Sequence, residues 1–457
     1  MPLLDSIEAY SVGLPMPPTI HRPPGPKGRH FLRSPLLSSD GPLVNLPRIA
    51  RQYGDICFWQ FLHVSSYLFA HPDEIESVLV TRHRSFTKGI GTRANPELFG
   101  NGLLTSEGEF WLRQRRLGQP AFHRTRIAVY AGIMSRAAEQ MLDSWRDGAQ
   151  IDVHREMMRT TLTIATRTLF GIDLGPKMPV VAEALDTFIR QNAGITVWRL
   201  FLKLPTPRRL KFLRGVRALD EIVYGIIRER RAGGLGDDLL SDFLRAQDTD
   251  GSAMTDRQLR DEVMTMLLAG HETTALALSW AWFLLATHPD AQATLQQEVD
   301  RVLSGRLPAA EDVEKLEYTN RVIRETLRLY PPAWVMTRMA ATAVEIGGYL
   351  LPPGSNVILS PWVTQRDARF FPRPEHFDPE RWTAEDAQAL PRFAYFPFGG
   401  GPRVCIGNNF ALMEAPILLA AVARRFQISL VPGQVIEPSA SITLRPRSGV
   451  CVRLQSR

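Results

Sequence analysis

Cysteine is scarce. Three occur in 457 residues, at positions 57, 405 and 451, an odd number with no metal-finger spacing. That argues against a disulfide framework and for a reducing compartment. Lysine is scarcer in proportion: six of the 54 basic residues, leaving 48 arginines, a bias read as genomic base composition. The net charge is +7. The arginines are spread along the chain rather than gathered in a stripe with stacking aromatics, so no nucleic-acid partner is expected. Residues 1–20 contain Asp5, Glu8 and several prolines. They lack both the ~20-residue apolar run that crosses a bilayer and the basic-then-apolar order of a signal peptide. A cytoplasmic, monomeric chain without a transmembrane anchor is expected. Gly/Ser linkers, low-complexity tracts and internal repeats are missing too. The expected organisation is a proline-rich lead segment over 1–30 and a single domain over 31–457.

What is present centres on residues 398–407, Phe-Gly-Gly-Gly-Pro-Arg-Val-Cys-Ile-Gly, placed just before an apolar helical segment over 410–426. Consecutive glycines allow close backbone approach. Cys405 falls near a helix N-terminus, where N–H groups and the dipole favour a thiolate. Arg403 adds a positive charge. Such a set suits an iron porphyrin, with sulfur on the metal and the arginine on a propionate. The spacing Phe-x-x-Gly-x-Arg-x-Cys-x-Gly is filled by Phe398, Gly401, Arg403, Cys405 and Gly407. It resembles the heme-binding signature of the cytochrome P-450 superfamily.

A long helix is expected from Thr255, with Gln258 completing a capping box, up to the break at Pro289. It is apolar on most sides through 263–268, including Leu268, which implies burial. Residues 269–274, Ala-Gly-His-Glu-Thr-Thr, then place polar groups in that run. Ala269 and Thr273 share a face, and a buried Glu272 is costly unless something uses or satisfies it. The hexapeptide resembles a second signature of the same superfamily. The resemblance implies that Glu272 and Thr273 are the acid–alcohol pair that relays protons during oxygen activation. His271 is expected to pack or hydrogen-bond locally. Alanine at 269 cannot form an ester to heme, so heme b is expected to be non-covalent apart from the Cys405 ligation.

Further motifs fit the same resemblance. Trp111 and Arg115, at i, i+4 on a helix over 109–117, resemble the propionate-binding helix, and Arg338 resembles another propionate ligand. Glu325 and Arg328, at i, i+3, together with Arg381 resemble the charge triad that locks the fold behind the cysteine. Gln365, in Thr-Gln-Arg-Asp over 364–367, departs from the family's more frequent His-Arg-Asp. The segment at 23–26 resembles the proline-rich hinge of microsomal members. Helices are also expected over 140–171, 179–191 and 208–231, short strands over 56–62 and 65–70, and a loop over 88–104. Residues 195–204 resemble the lid region, and their basic and aromatic character also suits a membrane interface. Pro416 is expected to kink the last helix or begin a new one.

The resemblance implies a mainly α, triangular heme-thiolate fold with a smaller β-region. It also implies a monooxygenase that takes O2 as co-substrate and inserts one oxygen atom into a lipophilic small molecule. With no flavin or iron–sulfur module visible, electrons are expected from an external ferredoxin or flavodoxin and its NAD(P)H reductase, docking near Arg113, Arg116 and Arg124. Leu98, Phe99, Leu268, Val335 and Leu444 are apolar candidates for the substrate pocket. The alternatives are a peroxygenase driven by H2O2, a rearranging heme enzyme that needs no reductant, and a non-catalytic heme sensor or carrier. The acid–alcohol pair speaks against the first two, and the lack of an output domain against the last.

Overall fold

The structure is a computed structural model. It describes residues 21–26, 41–61, 64–89, 91–92, 96–173, 175, 207–246 and 253–457. The helix expected at 179–191 and the lid-like segment 195–204 lie outside the described residues. The fold is mainly α with a smaller β-region. The chain packs as two compact units. The first gathers residues up to Arg93, Val335–Phe370 and Pro391–Val404; the second gathers Ala94–Trp334, Phe371–Leu390 and Cys405–Arg457.

The first unit holds a five-stranded sheet in the order Ile56–Phe61, Val64–Phe69, Asn356–Leu359, Met336–Ala340 and Phe86–Lys88. All pairs are antiparallel except Val64–Phe69 with Asn356–Leu359. Alternate residues of these strands, among them Tyr67, Phe69, Val357 and Leu359, pack with Ile75, Leu79, Phe393 and Phe396 into one apolar core. The glycine loop belongs to this unit. Gly401 has φ +66°, and a Cβ there would lie 1.8 Å from the Leu79 carbonyl oxygen. Only glycine fits, because both its backbone angle and its distance to a neighbouring backbone forbid a side chain. Close approach within the protein itself thus accounts for this glycine.

The second unit is built on the helix Asp256–Thr287, 32 residues long and buried on most of its faces. Thr255 caps it, with the Gln258 side chain returning the bond, and it ends at the residue before His288, as the position of Pro289 predicts. It packs against Val153–Leu169, while Asn408–Arg425 packs against Arg124–Asp143. The helix expected over 140–171 is two elements. The first ends at Asp143, Gly148 takes φ +72°, and Gln150–Asp152 pairs with Cys451–Ser456 before Val153 restarts the helix. The loop expected over 88–104 contains a single helical turn, Pro96–Phe99. Pro416 does not begin a new segment: Asn408–Arg425 runs through it. Its missing N–H leaves the carbonyl of Leu412 unpaired within the helix, and Leu412 is solvent-exposed, so water can take that bond.

Candidate active site

Of the three cysteines, two are placed for other roles. Cys57 is buried, donates to the Gly54 carbonyl at 3.1 Å, and burial with nearby Asp55 pushes its thiol up to about 12. Cys451 is exposed on a surface strand. Cys405 differs from both. It is accessible, yet protein surrounds it closely enough that burial raises its thiol, while the N–H of Gly407 and the charge of Arg115 act to lower it. Gly407 is the N-cap of Asn408–Arg425, so the sulfur stands at a helix N-terminus as the sequence implies. Here burial outweighs the two stabilising contacts. A thiolate at this spot needs a further positive charge, and a metal ion supplies one.

Arg115 lies with half-buried Trp111 on the helix Gly108–Gly118, and burial lowers its guanidinium while Cys405 opposes the shift. In the first unit, Arg403 donates to the Phe86 carbonyl at 3.0 Å. Phe86–Lys88 pairs with Met336–Ala340, placing Arg338 opposite Lys88. The two arginines are therefore joined to one sheet. Phe398 is half-buried in the same unit.

On the long helix, Ala269 is exposed and Gly270 and Thr273 are half-buried, although the residues around them are buried. In the middle of the helix these three residues are less covered than their neighbours. Thr273 Oγ1 donates back to the Ala269 carbonyl at 2.9 Å, a bond that competes with the local helix ladder. Glu272 is buried, and its Oε1 accepts from Thr443 Oγ1 at 2.5 Å and from Arg445 Nε at 2.9 Å. His271 is buried and neutral: burial lowers its pKa, its Nδ1 contacts the Leu267 carbonyl at 2.6 Å, and its own carbonyl accepts from Thr161.

The charge triad assembles. Arg328 Nε and Nη2 both donate to Glu325 at 2.8 Å, Arg381 Nε donates to Oε1 at 3.0 Å, and Glu325 and Arg328 have no exposed side-chain surface. Two donors escape a reading of the motif. Trp382 Nε1 donates to Glu325 Oε2 at 2.9 Å and the Asp378 N–H to Oε1 at 3.0 Å. Gln365 also has a place: its Oε1 accepts from the Phe396 N–H at 3.0 Å and so anchors the strand of chain that leads into the glycine loop. Among the pocket candidates, Leu98 and Leu444 are fully buried, Phe99 and Leu268 nearly so, and Val335 is half-buried.

An accessible thiol at a helix N-terminus with a countercharge beside it has the chemistry of a thiolate donor to iron. The sequence profile of the family described as Cytochrome P450 matches residues 23–451. The chain is a cytochrome P450. Relatives include cyclooctatin synthase of Streptomyces melanosporofaciens, 43% identical over 390 residues, 83% of this chain and 84% of that protein. Pentalenene oxygenase of Streptomyces avermitilis is 35% identical over 414 residues, 89% of this chain and 91% of that protein. The crystal structure of the cytochrome P450DA heme domain superposes with a TM-score of 0.86 at 28% identity, covering 96% of this chain and 98% of that one. This cytochrome P450 is accordingly a monooxygenase that works with heme iron and dioxygen. Among its described residues no helix is long and apolar enough to cross a membrane.

Proposed function

We propose that this cytochrome P450 oxidises an unactivated C–H bond of a lipophilic, terpenoid-type substrate, with electrons from an external ferredoxin or flavodoxin and its NAD(P)H reductase. The observation that carries the reading lies within one helix: a less covered Ala269–Thr273 face beside a buried carboxylate at Glu272, in the same unit as the accessible Cys405 thiol. Heme b, when bound, would supply the redox chemistry of an iron that takes electrons and dioxygen. Cys405 would hold the iron, with the Gly407 N–H and Arg115 balancing the charge on sulfur. Arg115 would pair with a propionate, with Trp111 against the macrocycle. Ala269 keeps space beside the helix, Thr273 offers a hydroxyl donor there, and Glu272 holds and hands on a proton. Phe99 and Leu268 would exclude water from an apolar substrate.

The substrate class follows from chemistry and kinship. The wall candidates carry no charge, and the name pentalenene oxygenase denotes an enzyme that acts on an alkene. Three unpaired cysteines suit a cytoplasmic location. Titration of the ferric protein with terpenoid hydrocarbons, fatty acids, steroids and macrolides tests the class. Terpenoid hydrocarbons are expected to displace water from iron and shift the absorption spectrum; a shift with fatty acids alone would overturn it. Turnover with NADPH, ferredoxin and reductase should exceed turnover with hydrogen peroxide, and the reverse would assign a peroxygenase.

A further inference from the structure

Glu272 is held by residues more than 170 positions away in the chain. Thr443 and Arg445 lie on the terminal hairpin, whose strands are Pro438–Ala440 and Leu444–Pro446. They are two residues apart, so in extended chain they point to the same side, and both donate to one carboxylate oxygen, Oε1. The Arg445 and Glu272 side chains are only 12% and 6% exposed. A carboxylate so withdrawn from water needs a countercharge, and Arg445 supplies it.

The hairpin itself is fixed. Trp280 Nε1, eight residues beyond Glu272 on the same helix, donates to the Leu444 carbonyl at 3.1 Å. Trp334 Nε1 donates to the Ser441 carbonyl at 2.9 Å, and the Leu444 N–H to the Pro332 carbonyl at 2.9 Å. Trp280 stacks on Tyr330 with ring centroids 4.1 Å apart. The hairpin is thus registered on the long helix at two points, Glu272 and Trp280. The anchors from Trp280, Trp334 and Pro332 are bonds to hairpin backbone. The pair on Glu272 joins side chain to side chain.

We propose that Thr443 and Arg445 are positioning residues for Glu272: they fix its rotamer and countercharge, and so set how much of the electron flow ends in complete rather than partial reduction of dioxygen. The proposal rests on Glu272 being the acid of the relay. Glu272 takes up one proton and releases one in each delivery, while Arg445 stays protonated throughout. The pair alternates between neutral and singly positive, and nothing else is consumed. With Arg445 or Thr443 removed, the carboxylate loses its fixed orientation and hands on protons late. Late delivery diverts two-electron equivalents to hydrogen peroxide, by NADPH + H⁺ + O2 → NADP⁺ + H2O2.

The test uses the heme-loaded protein with a plant-type ferredoxin, its reductase and NADPH, and no organic substrate. It records peroxide formed per NADPH consumed for Arg445→Met, Arg445→Lys, Thr443→Val and Glu272→Gln, singly and in pairs. Independently, the infrared carboxylate band assigned by the Glu272→Gln difference spectrum is followed in each hairpin variant. The account predicts a several-fold rise in the peroxide share for Arg445→Met and a smaller rise for Thr443→Val. Arg445→Lys should rescue in part, the Glu272 band should shift, and Arg445→Met should add nothing in the Glu272→Gln background. A rise with Glu272→Gln but none with either hairpin variant overturns the positioning role and leaves the relay standing. So does a further rise when Arg445→Met is added to Glu272→Gln, since Arg445 would then act elsewhere. No rise with Glu272→Gln removes the relay itself, and the positioning role with it. If Arg445→Met fails to fold, Arg445→Lys and Thr443→Val carry the same comparisons.

Discussion

Glu414 illustrates what a single residue reveals once its surroundings are seen. It is fully buried in Asn408–Arg425, and although Thr274 lies beside it, neither carboxyl oxygen has a hydrogen bond of good geometry. Burial pushes its pKa well above the ordinary value, which favours the neutral acid in the folded protein. The folded protein then binds a proton that the unfolded chain has released, and stability falls as pH rises above the ordinary carboxyl range. Glu414→Gln removes that loss. The melting temperature of the variant relative to the parent should therefore climb between about pH 5 and about pH 8; a constant difference would contradict the buried-acid description. Nothing near Glu414 in sequence announces this, because its neighbour Thr274 lies 140 residues earlier in the chain. The same distance hid Thr443 and Arg445. Glu272 itself was legible because a carboxylate in an apolar helical run is expensive and stands out locally.

At the scale of elements, local chemistry predicts what local chemistry controls. Thr255, Gln258 and Pro289 fix both ends of the long helix within a few residues of each, and both ends are where the sequence puts them. The break between Asp143 and Val153 was missed because it depends on pairing with Cys451–Ser456 at the far end of the chain. The Glu325 cluster lies between these cases. Its three charges are visible in motifs, but Trp382 and the Asp378 N–H join them only through the fold of the proline-rich stretch between. Two predictions belong here. Glu325→Ala leaves two arginines facing a void and should cost about 3–5 kcal/mol, with little heme-loaded protein recovered. Trp382→Phe keeps the ring but removes one donor to a charged group and should cost about 2 kcal/mol. Denaturant midpoints and heme absorbance check both, and normal heme content in Glu325→Ala would contradict the lock.

For the whole molecule, the family and its mainly α fold were readable from a handful of positions, since Cys405, the Ala269–Thr274 run and the Glu325 motif each fix a different part of the chain. No change of composition marks where the chain crosses between the two compact units, near residues 93, 335, 370, 390 and 404. Partner docking also belongs to this scale. Arg116 and Arg124 are exposed, whereas Arg113 is half-buried, so the first two are the better candidates to meet an acidic ferredoxin. Ferredoxin-driven turnover should fall several-fold between about 50 and about 300 mM salt, and fall similarly at low salt in Arg116→Glu combined with Arg124→Glu. Turnover indifferent to both would place docking elsewhere. The proposed function rests on one bond, from the sulfur of Cys405 to iron. The most direct measurement is the absorption spectrum of the reduced protein under carbon monoxide, beside that of Cys405→Ser. A strongly red-shifted band in the parent and its loss in the variant are predicted; no such band in the parent, or the same band in both, would contradict the account.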